Sequence, residues 1–293
     1  MQIKKVLSRL GIFFLGIPII LAIVYFSQLH RLALHLLIIF AVITSSLEMH
    51  KLLSTQGKIA NNVFLAILAT VPTLCSYASL WFNFSTIWVF ISFVFIAIIS
   101  TMYEILFPST NGKDETSEEY FSPSIHALTS NIFLLFYCGL LPTFISFLSQ
   151  YEFSTAYIST YFILVFSCDS FAWLFGMLFG KNNRGFIKIS PNKSIAGFVG
   201  GILCTIGMAI LCKFIFKVSF EQFPYWGMAL LGFGSAILAI SGDLVESLIK
   251  RSANIKDSGN IILGRGGMLD SIDSLLFVVP FFYLIIKLFV ATV

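Results

Sequence analysis

Apolar runs of helical length recur along almost the whole chain, separated by short polar connectors. They fall at about 9 to 27, 32 to 48, 62 to 81, 86 to 106, 125 to 149, 156 to 180, 195 to 217, 225 to 249 and 272 to 291. A helix crossing a bilayer core of about 30 Å needs roughly 20 mostly apolar residues. The pattern therefore predicts an all-α integral membrane protein with about nine transmembrane helices. Pro72 interrupts the third run and makes it the weakest of the nine. No repeat of about 20 to 50 residues stands out.

Composition supports the pattern. With 58% hydrophobic residues, 11% charged residues and a mean hydropathy of +0.93, a soluble globular domain is excluded. The segment Gly11 to Phe26 follows Lys4, Lys5 and Arg9 as a signal peptide would. No small-x-small cleavage pattern comes before His30, so it reads as an uncleaved first span. The five cysteines form no CxxC pair and no Cys/His grouping at metal spacing, which argues against a disulfide scaffold or a zinc site. None of the four histidines pairs with another charged group at chemical spacing, and each reads as an interfacial or packed residue.

Nine spans put the termini on opposite sides, so the basic residues decide the orientation. A cytoplasmic N-terminus places fourteen of the eighteen lysines and arginines in cytoplasmic segments, leaving Arg31, Lys213, Lys217 and Lys287 opposite. That orientation puts the connectors 181 to 194 and 250 to 271 in the cytoplasm, and it absorbs the net charge of +4 without a nucleic-acid partner. The chain is expected to be one polytopic membrane domain over residues 1 to 293. Its quiet N-terminal half covers 1 to 123, and its second half, 124 to 293, carries polar motifs at 169 to 200 and 241 to 275. In the quiet half, Glu48 and Glu104 read as carboxylates reaching the interface. The connector 107 to 123 reads as a solvated acidic loop.

The polar residues concentrate in two places. Asp169 lies in the middle of an apolar run, where a carboxylate is costly. It either serves a substrate cavity or is satisfied by a neighbouring helix. Gly176 and Gly180, four residues apart, equally allow close helix packing. The connector that follows carries Lys181, Arg184, Lys188 and Lys193, with Ser190, Asn192 and Ser194 ahead of the next span. A basic loop at a helix N-terminus suits a phosphate, and ordinary membrane topology explains such a loop equally well.

The second concentration, Ser241 to Leu275, holds four of the six aspartates and four of the basic residues. Asp243, Ser247 and Lys250 are spaced i, i+4, i+7 and share one helix face. Asp270 and Asp273 are i, i+3 at the start of the last span. Two helix ends thus offer three carboxylates, an oxygen-only set that favours Mg²⁺ or a similar hard ion. Between them lie Lys250, Arg251 and Lys256 for phosphate charge, and Gly259, Gly264, Gly266 and Gly267, where the backbone could approach a ligand closely. The bland alternative is an internally ion-paired loop, which leaves the three aspartates clustered without purpose.

These residues resemble the phosphatidate cytidylyltransferases (CDP-diacylglycerol synthases). The family's C-terminal signature has the form S-x-x-K-R-x4-K-D-x-G, then Pro-x-His-Gly-Gly, then D-R-x-D. Here it is met in register by Ser247, Lys250, Arg251, Lys256, Asp257, Gly259, Gly266, Gly267, Asp270 and Asp273. Upstream, Ser241-Gly242-Asp243-Leu244 resembles the family's SGDL segment, Asp169 its intramembrane aspartate, and Ser190-Pro191-Asn192-Lys193-Ser194 its SPxK[ST] element. The resemblance is specific over 169 to 275 and architectural before that. Leu263 stands in place of the family's proline, Arg265 of its histidine, Ser271 of the arginine of D-R-x-D, and Ile195-Ala196 of a Trp-Glu pair.

The resemblance implies a nucleotidyltransferase of phospholipid biosynthesis, converting CTP and phosphatidic acid to CDP-diacylglycerol and pyrophosphate. It implies Mg²⁺ on Asp243, Asp270 and Asp273, with room for a second cation and for Ser247. Lys250 and Asp169 join those aspartates as catalytic candidates. Ser190, Lys193, Ser194, Ser247, Arg251, Lys256, Asp257, Gly266 and Gly267 are the nucleotide- and phosphate-binding candidates. It further implies a multi-pass protein of the cell (inner) membrane with its site facing the cytoplasm, and a homodimer. The competing readings are a membrane transporter with Asp169 as an ion site, and a family member that has lost activity.

Overall fold

The computed structural model of the protein describes residues 17–110, 120–262 and 266–290. All regular structure among them is helical, and eight helices are long and apolar enough to cross a membrane. The first predicted run falls partly outside the described residues, and within them α1 covers Ile17–Tyr25. The other eight predicted runs each meet a long helix or, in one case, an interrupted one.

The chain forms two compact units, Met1–Phe147 with Ser252–Ser271, and Leu148–Arg251 with Ile272–Val293. The first unit contains α2 (Gln28–Leu53), α3 (Asn62–Phe82), α4 (Ile87–Leu106) and α5 (Ser124–Leu134). A π-helical turn at Leu135–Leu140 and the short α6 (Thr143–Leu148) continue α5. Helix α3 packs against α2, α4 and the π turn. Asn61 starts α3, its side chain accepting from the Val63 and Phe64 amides at 2.9 and 3.3 Å. Pro72 sits inside α3 without ending it, as is usual for a membrane helix whose neighbours compensate the lost donor. Small residues bring the helices close: a Cβ on Gly139 would lie 2.9 Å from the Ala69 carbonyl oxygen.

The two acids expected at the interface in this unit are instead buried, Glu48 to 7% exposure and Glu104 to 3%. Glu104 accepts from the Ser109 amide at 2.6 Å and closes the turn that ends α4. For Glu104 the reason is local: the residues after the helix are irregular, their amides lack helix partners, and a long carboxylate in the last turn reaches one of them more readily than it reaches water.

The second unit is built from α7 (Ser154–Phe179), α8 (Ile195–Ile215), α9 (Tyr225–Ser252) and α10 (Leu269–Val290), the last two ending or beginning in the first unit. Glycine sets its spacing. A Cβ on Gly197 would stand 2.6 Å from the Ala172 carbonyl oxygen, and one on Gly232 would stand 2.8 Å from the Ile206 Cα, so α8 touches α7 and α9 through backbone. Gly176 faces Gly197 in the same seam, which makes close packing the observed use of the glycines on α7. Along α9, Gly227, Gly234 and Gly242 meet Phe289, Phe281 and Asp273 of α10 in antiparallel order. Leu178, Leu203, Phe214 and Leu284 point outward and exposed. Thr160, Thr205 and Ser235 are buried, the inside-out polarity that suits helices in lipid.

Candidate functional site

In the second unit, the carboxylates of Asp243, Glu246 and Asp273 converge, with one oxygen from each lying within 4.8 Å of the others. Asp243 and Glu246 are i, i+3 on α9, so a single helix turn presents both. Asp273 comes from α10, which can approach because Gly242 has no side chain: a Cβ there would lie 2.6 Å from the Asp273 carbonyl oxygen. The Ser274 hydroxyl fixes the same crossing by donating to the Ala239 carbonyl at 3.0 Å, while its amide donates to Asp273 Oδ1 at 2.7 Å.

Two lysines answer the negative charge. Lys250, one turn beyond Glu246, pairs with Glu246 Oε2 at 2.5 Å, and Lys193 pairs with Asp243 Oδ2. Glu246 is 1% exposed, so its pair sits in a medium where charge interacts strongly. The intramembrane Asp169 of α7 is half-buried, and the thiol of the adjacent Cys168 donates to the Ala236 carbonyl of α9 at 3.8 Å. A group of three carboxylates whose oxygens can share one ion, with cations on its rim, is a donor set for a hard divalent metal and for phosphate oxygens.

Lys193 is held by the turn that precedes α8. Its amide donates to the Ser190 carbonyl at 3.1 Å, and its ammonium lies 5.7 Å from the centre of the Phe198 ring. The buried Ser194 is the N-cap of α8, its hydroxyl accepting from the Gly197 amide at 3.1 Å. Asn183 closes the loop, accepting from the Ile195 amide on its carbonyl at 3.1 Å and from the Ala196 amide on its side chain at 3.4 Å. The Ser-Pro-Asn-Lys-Ser element thus aims one lysine and caps one helix. Ser247 is half-buried on α9, and Arg251 is exposed near its end.

The remaining candidates belong to the connector in the first unit. Asp270 Oδ2 accepts from the Gly267 amide at 2.7 Å and from both the amide and the hydroxyl of Ser258 at 2.9 Å. Asp270 is not among the three converging carboxylates. Gly266 has φ +117, and a Cβ there would lie 2.5 Å from Asp270 Oδ2, so glycine is needed twice over. Lys256 and Asp257 are exposed. Ser271, in place of the family's arginine, donates its hydroxyl to the Gly267 carbonyl at 3.2 Å. Leu263, Gly264 and Arg265 lie outside the described residues.

Two acids, one in each unit, have roles that sequence alone does not assign. Glu246 carries a signal, being i+3 from Asp243 and i−4 from Lys250 in the same charged window. Glu48 carries none beyond its sign. It lies near the end of α2, where Oε1 accepts from the Met268 amide at 3.0 Å, and Oε2 from the Leu269 amide at 2.8 Å and the Ser258 hydroxyl at 3.0 Å.

A phosphatidate cytidylyltransferase of Bacillus subtilis (strain 168) is 38% identical over 138 residues, 47% of this chain and 50% of that protein. One from Staphylococcus haemolyticus (strain JCSC1435) is 40% identical over 124 residues, 42% of this chain and 46% of that protein. One from Staphylococcus aureus (strain COL) is 38% identical over the same length. The matched stretch spans about half the length of these curated relatives. A model described as the cytidylyltransferase family, by contrast, matches residues 7–289, a span that includes the charged window, the lysine-bearing turn before α8 and every long helix except the last residue of α10. On that extent of match, this chain belongs to the cytidylyltransferase family.

Proposed function

We propose that the chain transfers the cytidylyl group of CTP to phosphatidate, giving CDP-diacylglycerol and pyrophosphate. The observation that carries the proposal is the convergence of Asp243, Glu246 and Asp273, ringed by Lys193 and Lys250, in a cytidylyltransferase-family chain built of apolar helices. In this reaction a phosphate oxygen of the lipid forms a bond to the α-phosphorus of CTP, the bond from that phosphorus to the β-phosphate oxygen breaks, and pyrophosphate leaves. The nucleophile is already anionic at neutral pH, so no general base is required. The protein's work is then positioning and charge neutralisation.

The all-oxygen donor set fits Mg²⁺, and Asp243, Glu246 and Asp273 are the residues that would hold it. A bound Mg²⁺ supplies positive charge to the phosphate oxygens of the reacting groups. Lys193 and Lys250, now paired with two of these carboxylates, are placed to turn to substrate phosphates once the acids are otherwise compensated. Arg251, Ser247 and Ser190 extend the phosphate-binding rim, Asp169 orients the lysine side of the site, and Lys256, on the connector of the first unit, keeps the phosphate-binding role that the family resemblance implies. Asp270 enters through the connector that it organises. Apolar helix faces accommodate the two acyl chains. The distribution of basic residues supports a cytoplasmic N-terminus and a site open to cytoplasmic CTP in the cell membrane. The family resemblance adds a homodimer as the assembly.

The test is purified protein in detergent with radiolabelled CTP, phosphatidate and Mg²⁺. A labelled, lipid-soluble product that disappears on chelation is expected. No such product, under conditions where the Bacillus subtilis relative forms it, sinks the proposal.

A further inference from the structure

Glu48 has no part in the reaction proposed above, yet three donors from the C-terminal connector converge on it. Both carboxylate oxygens accept, and the side chain is buried. Removing a carboxylate from water is costly unless hydrogen bonds replace those to solvent. The amides of Met268, just before α10, and of Leu269, its first residue, do so at the helix N-terminus, where the helix dipole also favours an anion. An amide side chain could not substitute, because its nitrogen would meet donors with a donor.

The connector is shaped around this carboxylate. A Cβ on Gly259 would overlap Glu48 Oε1, and one on Gly267 would overlap Oε2 and the Ser258 hydroxyl. Two glycines of the charged window therefore leave room for an acid more than two hundred residues away. Ser258 lies within hydrogen-bond distance of both Glu48 and Asp270, at 3.0 and 2.9 Å. Its single hydroxyl proton can serve only one acceptor at a time, so the serine couples the two acids.

We propose that Glu48 is a positioning residue: from the end of α2 it fixes where α10 begins and how the connector carrying Lys256, Asp257 and Asp270 folds. The inference rests on the proposed function for its effect on turnover, but its structural half can be measured without any reaction. Asp273 follows Leu269 by four residues on the same helix, so the start of α10 also sets the rotational position of that carboxylate about the helix axis.

The experiment uses the full chain in detergent and the variants Glu48→Gln and Ser258→Ala, read by amide hydrogen exchange, melting temperature and steady-state kinetics. In Glu48→Gln, exchange at Met268 and Leu269 is expected to rise at least about tenfold. Turnover falls at least about tenfold while KM for CTP changes less than about threefold, as for a misplaced rather than a missing contact. Ser258→Ala moves both readings in the same direction by less. Unchanged exchange at Met268 and Leu269, or loosened exchange with full turnover, overturns the inference. So does a loss of turnover that simply tracks a fall in melting temperature. If Glu48→Gln does not fold, Ser258→Ala decides by the same readings. If the unsubstituted protein forms no CDP-diacylglycerol, the proposed function falls, and the exchange result alone decides whether Glu48 holds the connector.

Discussion

A Cβ on Gly242 would stand 2.6 Å from the carbonyl oxygen of Asp273, so the two helices that carry the converging acids touch backbone to side-chain-free backbone. The contact decides whether Asp243 and Asp273 can share an ion, since Asp243 is the next residue along α9. Gly242→Ala must push the helices apart. Overpacking of this kind costs about 1–3 kcal/mol, and the carboxylates separate with it. The expected outcome is a raised Mg²⁺ requirement and at least about a tenfold loss of turnover at low Mg²⁺, partly recovered at high Mg²⁺. A Mg²⁺ titration of the purified variant checks it, and an unchanged titration would remove Gly242 from the site.

Neutralising the acids one at a time separates metal binding from general destabilisation. Asp243→Asn and Asp273→Asn are each expected to lower turnover at least about a hundredfold, the scale of lost metal-phosphate stabilisation. Glu246→Gln does the same if Glu246 belongs to the set, and a near-normal rate would exclude it. Chelation of the unsubstituted protein should abolish turnover, and added Mg²⁺ should restore it.

The spans are legible in the sequence because lipid imposes a length and a polarity that single residues cannot hide. Eight of the predicted runs reappear as long or interrupted helices, including the one containing Pro72. The charged window and the lysine-bearing turn before α8 are legible for the same reason, since Asp243, Asp273, Lys250 and Lys193 stand out against an apolar chain. Other features are not. Asp270 and Asp273 are i, i+3, and periodicity alone gives them one role. Yet Asp270 turns to Ser258 and Gly267 because the connector offers it donors, a fact of loop geometry. Glu48 is invisible because its partners lie over two hundred residues away. The glycines signal close approach correctly, but sequence cannot say whether a ligand, a helix or a carboxylate does the approaching.

Lys213, one of the four basic residues that run against the charge bias, has a structural explanation. Its ammonium donates to the Phe220 carbonyl at 2.7 Å and to that of Phe223, and it lies 5.4 Å from the centre of the Tyr225 ring. It therefore pins the turn between α8 and α9 rather than facing the medium as a topology signal. Lys213→Met leaves two carbonyls without their donor, at about 1–3 kcal/mol. A melting temperature lowered by several degrees, with turnover per folded molecule unchanged, is expected from thermal denaturation in detergent. An equal melting temperature would show that water satisfies those carbonyls equally well.

The pair Lys250–Glu246 allows a sharper separation of stability from chemistry. Glu246 is 1% exposed, and removing one member of a buried pair costs about 3–5 kcal/mol because the other charge is left in a poor solvent. Lys250→Met should therefore lower both melting temperature and turnover. Combining it with Glu246→Gln removes the stranded charge, and the double variant should regain most of the lost stability. On the proposed assignment it should not regain activity, because that assignment makes Lys250 a phosphate-facing cation and Glu246 a metal carboxylate, and both are gone. A double-mutant cycle measured in parallel on melting and on turnover therefore shows recovery in the first quantity and none in the second if the pair serves the reaction. If turnover recovers together with stability, Lys250 and Glu246 are a structural ion pair, and the acid group reduces to Asp243 and Asp273.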